Sequence, residues 1–156
     1  MAAFTDFAEN KLIDFLFRGQ ALGITGASAA AGTGPATLYL ALFTAAPTDT
    51  GGGTEVSGGS YARVSVTSAL ANWAGTQAAA STTASSGTTG TTSNNAAVTF
   101  PAPTAAWGAV TSFGVFDAAA GGNLLIYGNL TTNKTVNNGD PAPSFSAAAF
   151  TFQIDN

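Results

Sequence analysis

The sequence predicts a mainly β protein: a single β-sandwich, jelly-roll-like or immunoglobulin-like, with one N-terminal α-helix. Three observations predict it. Short runs rich in β-branched and aromatic residues follow one another, separated by Pro, Gly-Gly and Asn-Asn-Gly punctuation. No strand alternates with a helical stretch, as a parallel sheet would require. Only one segment, near the N-terminus, repeats its apolar residues at helical spacing. With 156 residues the chain is expected to be one domain, 1–156, since a chain of this length hides about 70% of the surface its unfolded form exposes.

The helix is expected over residues 6–18. Phe4, Phe7, Leu12, Phe15 and Leu16 recur there as on one helical face, and Asp6, Glu9, Lys11, Asp14 and Arg18 supply the charge. Asp6 is expected to cap it in a capping box with Glu9, and Gly19 to end it. Residues 19–35 carry Gly and Ser at intervals too short for a regular element, which predicts a flexible loop.

The sandwich is expected over 36–156. TLYLALFTAAP, from Thr37 to Pro47, reads as a largely buried central strand closed by the turn TDTGGG. SYARVSVTSAL alternates Tyr61, Arg63 and Ser65 against Ala62, Val64 and Val66, the period of a strand with one wet face, and makes a hairpin partner for the first. Residues 74–95 form an Ala/Ser/Thr/Gly tract with few large apolar groups, predicting an extended arm or mobile loop. The remaining strands are expected at AAVTFP, AVTSFGVFD, NLLIYGNLT, KTVNNGD and SFSAAAFTFQID.

Composition narrows the function. Charged residues are 8% of the chain, so the surface is neutral and small-sided. Such a surface repels its own copies little and suits close packing of subunits. The net charge is −4, and Lys11, Arg18, Arg63 and Lys134 are too scattered to make a phosphate-binding patch, which argues against nucleic acid. Cysteine is absent, removing disulfides and thiolate chemistry. No stretch reaches the roughly 20 apolar residues of a membrane helix, and no basic-then-apolar leader opens the sequence, so a product made in a cytoplasm is expected.

Histidine is absent as well, so the usual general base and the commonest metal ligand are missing, and no catalytic, cofactor or metal residues are assigned. Acid–base chemistry would rest on Glu55, Asp117, Asp49 and Asp140. The three aspartates sit in turn contexts and are read as turn formers; Glu55 is read as a solvent-facing strand end. No calcium loop or phosphate-binding loop motif is present. Asn129-Leu-Thr and Asn133-Lys-Thr match the glycosylation triplet but carry no weight without a secretory signal.

The candidate interface residues are Phe4, Phe7, Phe15, Phe17, Trp73 and Trp107. The four phenylalanines cannot share one narrow helical stripe, which points to contact with a neighbouring subunit, and each tryptophan suits a core anchor first and an interface anchor second. Tyr61, Trp73, Trp107 and Tyr127 are the aromatics that a glycan-binding module would use.

Four stretches in fixed order, ENKLIDFLFRGQ, PATLYLALFTAAPTD, TEVSGGSYARVSV and WGAVTSFGVFDAAAGGNLLIYGNLTTNKTVNNGD, resemble short virion proteins of tailed phages and prophages, often labelled tail-fibre or tail-fibre-like proteins. The resemblance implies a non-enzymatic virion component without cofactors, assembled in the host cytoplasm. Small β-sandwiches of this character also serve as capsid decoration, or cement, proteins, and that role is expected here, with a tail fibre or baseplate part in host adsorption as the alternative. The expected partners are the major capsid protein or tail proteins and further copies in a trimer or dimer, without nucleic acid or membrane. The chain departs from the family pattern by a 21–34 Ala/Gly insertion and the 76–95 tract, which are expected to reach neighbours.

Overall fold

The computed structural model describes residues 4–24 and 34–154, so most of the expected 19–35 loop, residues 25–33, lies outside the described residues. In chain order the elements are α1 (Asp6–Phe17), β1 (Thr37–Ala45), β2 (Thr54–Glu55), β3 (Val64–Thr67), β4 (Thr91–Ser93), β5 (Val98–Thr99), β6 (Gly108–Phe116), β7 (Leu124–Val136), β8 (Ser144–Phe145) and β9 (Thr151–Gln153). Over the described residues the protein is mainly β, with a single helix near the N-terminus and open sheets, consistent with a β-sandwich.

The chain forms two compact units. One holds the described residues of Met1–Ala36, Thr67–Val98 and the described residues of Phe145–Asn156; the other holds Thr37–Val66 and Thr99–Ser144.

In the first unit, α1 is capped one residue earlier than expected. Thr5 is the N-cap, its backbone extended and its hydroxyl accepting from the Ala8 amide at 3.4 Å, so Asp6 and Glu9 fall in the first turn and the expected Asp6 capping box does not form. A threonine hydroxyl on extended backbone is among the favoured N-caps and satisfies an orphan amide. At the far end the Asp14 carbonyl accepts from both Arg18 and Gln20 amides, and Gly19 turns the chain back at φ +66°. A Cβ there would stand 2.4 Å from the Ser68 carbonyl oxygen, so both conformation and space require glycine.

The buried side of α1 is Glu9, Ile13, Asp14 and Phe17, continued by Arg18. The expected phenylalanine stripe is therefore turned: Phe17 goes inward and Phe4 and Phe7 stay outside. Phe17 meets Trp73 edge-on at 4.9 Å and Phe152 at 5.2 Å, and Trp73 meets Phe150 at 5.8 Å. Edge-to-face rings in this range add about 0.5–1.5 kcal/mol per pair beyond their burial.

The 74–95 tract is part of this unit and not an arm extended from it. It has too few large side chains for a core of its own, but its hydroxyls and carbonyls dock on α1, as described below. Its end forms β4, paired antiparallel with β9 (Thr91↔Gln153, Ser93↔Thr151). Asn94 is fully buried and works as backbone in place of a ladder: its amide group donates to Ala96 and Ser146 carbonyls at 2.7 and 2.8 Å and accepts from the Phe150 amide at 2.9 Å. SFSAAAFTFQID, expected as one strand, is accordingly split into β8 and β9, with Ala148 at φ +61° between them.

The second unit is built on a sheet of order β2-β1-β6-β7, with β3 also pairing β1. β1 is the buried central strand its sequence predicts, covered on both faces. Residues opposed across an antiparallel pair share a face. One face carries Ala41, Phe43 and Phe116, with Tyr39 and Leu124 packed against them. The other follows the registers Leu40↔Val115↔Ile126 and Leu42↔Phe113↔Gly128. Gly128 leaves room for Phe113, whose ring would meet an added Cβ at 2.8 Å. The short β5 and β8 form a separate pair.

Two boundaries differ from expectation. NLLIYGNLT and KTV are one strand, β7, because the Thr/Asn run between them is absorbed as a bulge: β6 advances from Val110 to Ser112 while β7 runs back from Lys134 to Asn129. The alternating 60–70 segment is a strand only over Val64–Thr67, since Tyr61 and Arg63 turn toward Glu55 rather than lining a wet face.

Candidate functional site

Every polar group of the sheet unit's central network has a named partner. Glu55, at the end of β2, accepts two charge-assisted bonds from Arg63, Nε to Oε1 at 2.9 Å and Nη2 to Oε2 at 2.8 Å. The Tyr61 hydroxyl donates to Glu55 at 3.0 Å while accepting from the Leu42 amide at 2.9 Å. Burial pushes the Tyr61 phenol well above its ordinary range. Hydrogen bonding to Glu55 raises the Arg63 guanidinium further. Arg63 Nη1 also donates to the Ala118 and Gly121 carbonyls, pinning the 117–123 loop. Glu55, expected as a solvent-facing strand end, is thus a structural anchor; its partner lies eight residues away on a different segment, which no local pattern reveals.

Asp117 and Asp140 behave as their turn contexts predict. Asp117 accepts from the Asn123 side chain and backbone amide, both at 2.7 Å, and these bonds hold its carboxyl below the usual carboxylate range. Asp140 accepts from Asn137 in the same way. Among the described residues, no three acidic side chains gather to hold a metal ion.

In the helix unit a second network surrounds Arg18, which is fully buried. Its guanidinium donates to Asp14 at 2.7 Å, the Trp73 carbonyl at 2.9 Å, Ser85 at 3.1 Å and the Ser81 and Thr83 carbonyls at 3.2 and 2.6 Å. Asp14 in turn accepts from the Ser85 amide and hydroxyl. A buried charge is tolerated only when paired and fully hydrogen-bonded, and the polar 81–85 tract supplies those acceptors. Asn10 adds a bond to the Gly87 carbonyl at 3.0 Å.

Of the six expected interface residues, the structure divides three from three. Phe17 and Trp73 are wholly buried in the helix unit. Trp107 is buried in the sheet unit, its indole N–H donating to the Gly59 carbonyl at 3.0 Å and its ring meeting Tyr61 edge-on. These three large rings fill the interior of their units. Phe15 is half-buried. Phe4 and Phe7 are 61% and 57% exposed, and Lys11 lies 5.7 Å from the Phe7 ring.

The sheet unit has one surface feature that the sequence did not single out. A cleft of about 620 Å³ opens between the turn 48–52 and the start of β7, with Phe116, Leu125 and Tyr127 in its lining. Leu125 and Tyr127 are 39% and 43% exposed. A doublet, Leu124-Leu125, in an otherwise alternating strand was the available signal.

No curated protein matches the sequence. A family model described as Podophage GP4 fiber I protein gp80 matches residues 3–153. With nearly the whole chain matched, the protein belongs to this phage fibre family and is a structural component of the virion.

Proposed function

We propose that the protein is a non-enzymatic subunit of the virion's fibre apparatus, docking on neighbouring virion proteins through Phe4 and Phe7. The observation that carries this is the exposure of both rings, Phe7 in the first turn of α1 and Phe4 just before its N-cap, on a helix whose buried face is locked in place by Arg18 and Phe17. Apolar surface of this kind gains about 25 cal/mol for each Å² a partner covers. The fibre description of the family supports a tail position. The two units are each assembled from separated chain segments, which supports residues 1–156 acting as one domain.

The same surface would serve a capsid decoration protein, and copy number separates the two. Mass spectrometry of purified particles against the major capsid protein is expected to give a few to a few dozen copies. Hundreds of copies would overturn the fibre reading in favour of decoration. Cross-linking in the particle then identifies the partner, a tail protein, the major capsid protein or further copies of the chain in a dimer or trimer.

A further inference from the structure

The cleft beside β7 has the chemistry of a ligand site, and nothing in the docking role requires it. Its lower wall is the ring of Phe116, fixed from behind by Arg63 at 3.4 Å. Its outer wall is Leu125 and Tyr127. Register shifts between Val115 and Phe116, opposite Ile126 and Leu124, so Leu125 is the extra residue of a β-bulge. A bulge re-aims a side chain, and here the result is two large apolar groups held exposed on a strand end.

The facing wall is the turn Thr48–Gly52. Thr48 and Gly51 exchange backbone hydrogen bonds at 3.0 and 2.9 Å, which fixes the turn. Gly51 and Gly52 have open space where a Cβ would stand, so this rim presents peptide groups without side chains. Asp49, exposed in the same turn, is the cleft's one charged residue.

We infer that this cleft binds a neutral saccharide. A sugar ring has an apolar C–H face suited to Tyr127 and Leu125 and hydroxyl donors suited to the exposed Asp49 carboxylate. The charge of the lining selects within that class. With Asp49 present and no Lys or Arg in the lining, phosphorylated, sulfated or carboxylated glycans meet a single negative charge with no cation to offset it. At about 620 Å³ the cleft falls within the roughly 300–1,000 Å³ of ordinary ligand pockets and is large enough for more than one sugar unit.

The test uses the full chain, fluorescently labelled, on host cells. Wild-type protein is expected to stain untreated and protease-treated cells, and to lose at least tenfold of its binding after periodate, which cleaves vicinal diols. Tyr127→Ala and Asp49→Asn are each expected to lower binding tenfold or more with unchanged thermal unfolding, since both side chains are exposed. A printed array of neutral and acidic oligosaccharides is expected to show neutral ligands only. Failure of the wild-type protein to stain cells, staining that survives periodate, staining lost to protease instead, or full binding by both variants would each overturn the inference. The fibre reading stands or falls separately, on copy number in the particle.

Discussion

The guanidinium carbon of Arg63 lies 3.4 Å from the ring centroid of Phe116, with the cation stacked on the aromatic face. This one contact joins the ion pair with Glu55, the pinned 117–123 loop and the floor of the cleft. A planar, delocalised cation can stack and donate sideways at once, which an ammonium cannot. Arg63→Lys is therefore expected to destabilise the protein by about 2 kcal/mol, since it loses the bidentate bond and the stacking while keeping the charge. Urea denaturation checks it. Lys11→Ala, which removes only an exposed contact with Phe7, is expected to shift stability by less than about 0.5 kcal/mol.

Arg18 supports a larger effect. Arg18→Ala leaves Asp14 buried without its counter-charge and several carbonyls without donors, a loss of about 3–5 kcal/mol. Ser85→Ala removes one shared hydroxyl and is expected to cost about 1 kcal/mol. Hydrogen exchange provides the specific readout: amides of 81–87 lose protection first in either variant, because that tract is tied to α1 through these bonds.

Tyr61 sets an alkaline limit. Its folded-state pKa is raised, by burial first, so its contribution is complete below the ordinary phenol value of 10.0 and is lost as pH rises above it. Stability measured from pH 8 to 11 is expected to fall beyond pH 10, and Tyr61→Phe is expected to flatten that fall. The same variant loses about 1–2 kcal/mol at neutral pH, since the Leu42 amide is left without its acceptor. At the acid end the exposed Asp117, its pKa lowered by Asn123, gives support that is present above the unfolded carboxylate value and fades as pH drops through the folded one.

Gly128 is a steric prediction. Gly128→Ala places a methyl group against the Phe113 ring, and overpacking of this kind costs about 1–3 kcal/mol. Gly19→Ala is expected to be worse, because the obstacle is the Ser68 backbone and the φ is positive, whereas at Gly128 a side chain can give way. Thermal unfolding of the two variants should preserve that order.

Phe4 and Phe7 test the docking surface. Phe4→Ser with Phe7→Ser is expected to leave unfolding within about 0.5 kcal/mol, as exposed sites do, while incorporation into particles drops sharply. Retained incorporation would remove these residues from the interface.

Local chemistry alone determined a good deal of this protein. The single helix, the buried strand at Thr37–Ala45, the turn roles of Asp117 and Asp140 and the absence of imidazole and thiol chemistry all follow from short-range pattern or composition, and short-range interactions are what such patterns encode. The four quoted segments carry the phage fibre resemblance, which the family match over residues 3–153 bears out. Tertiary structure decided what depends on partners far apart in sequence. Whether a phenylalanine on or beside α1 faces in or out was settled by Trp73 and Phe152, which claimed Phe17 and left Phe4 and Phe7 to solvent. The low-complexity tract joined the fold because Arg18, a buried charge, needed acceptors beyond Asp14 and the Trp73 carbonyl, and the carbonyls and hydroxyl of that tract supply them. Glu55 became an anchor through Arg63, and the cleft arose where a turn near residue 50 faces a bulge at Leu125. Burial and charge pairing are properties of groups brought together in space, and separation along the chain conceals them.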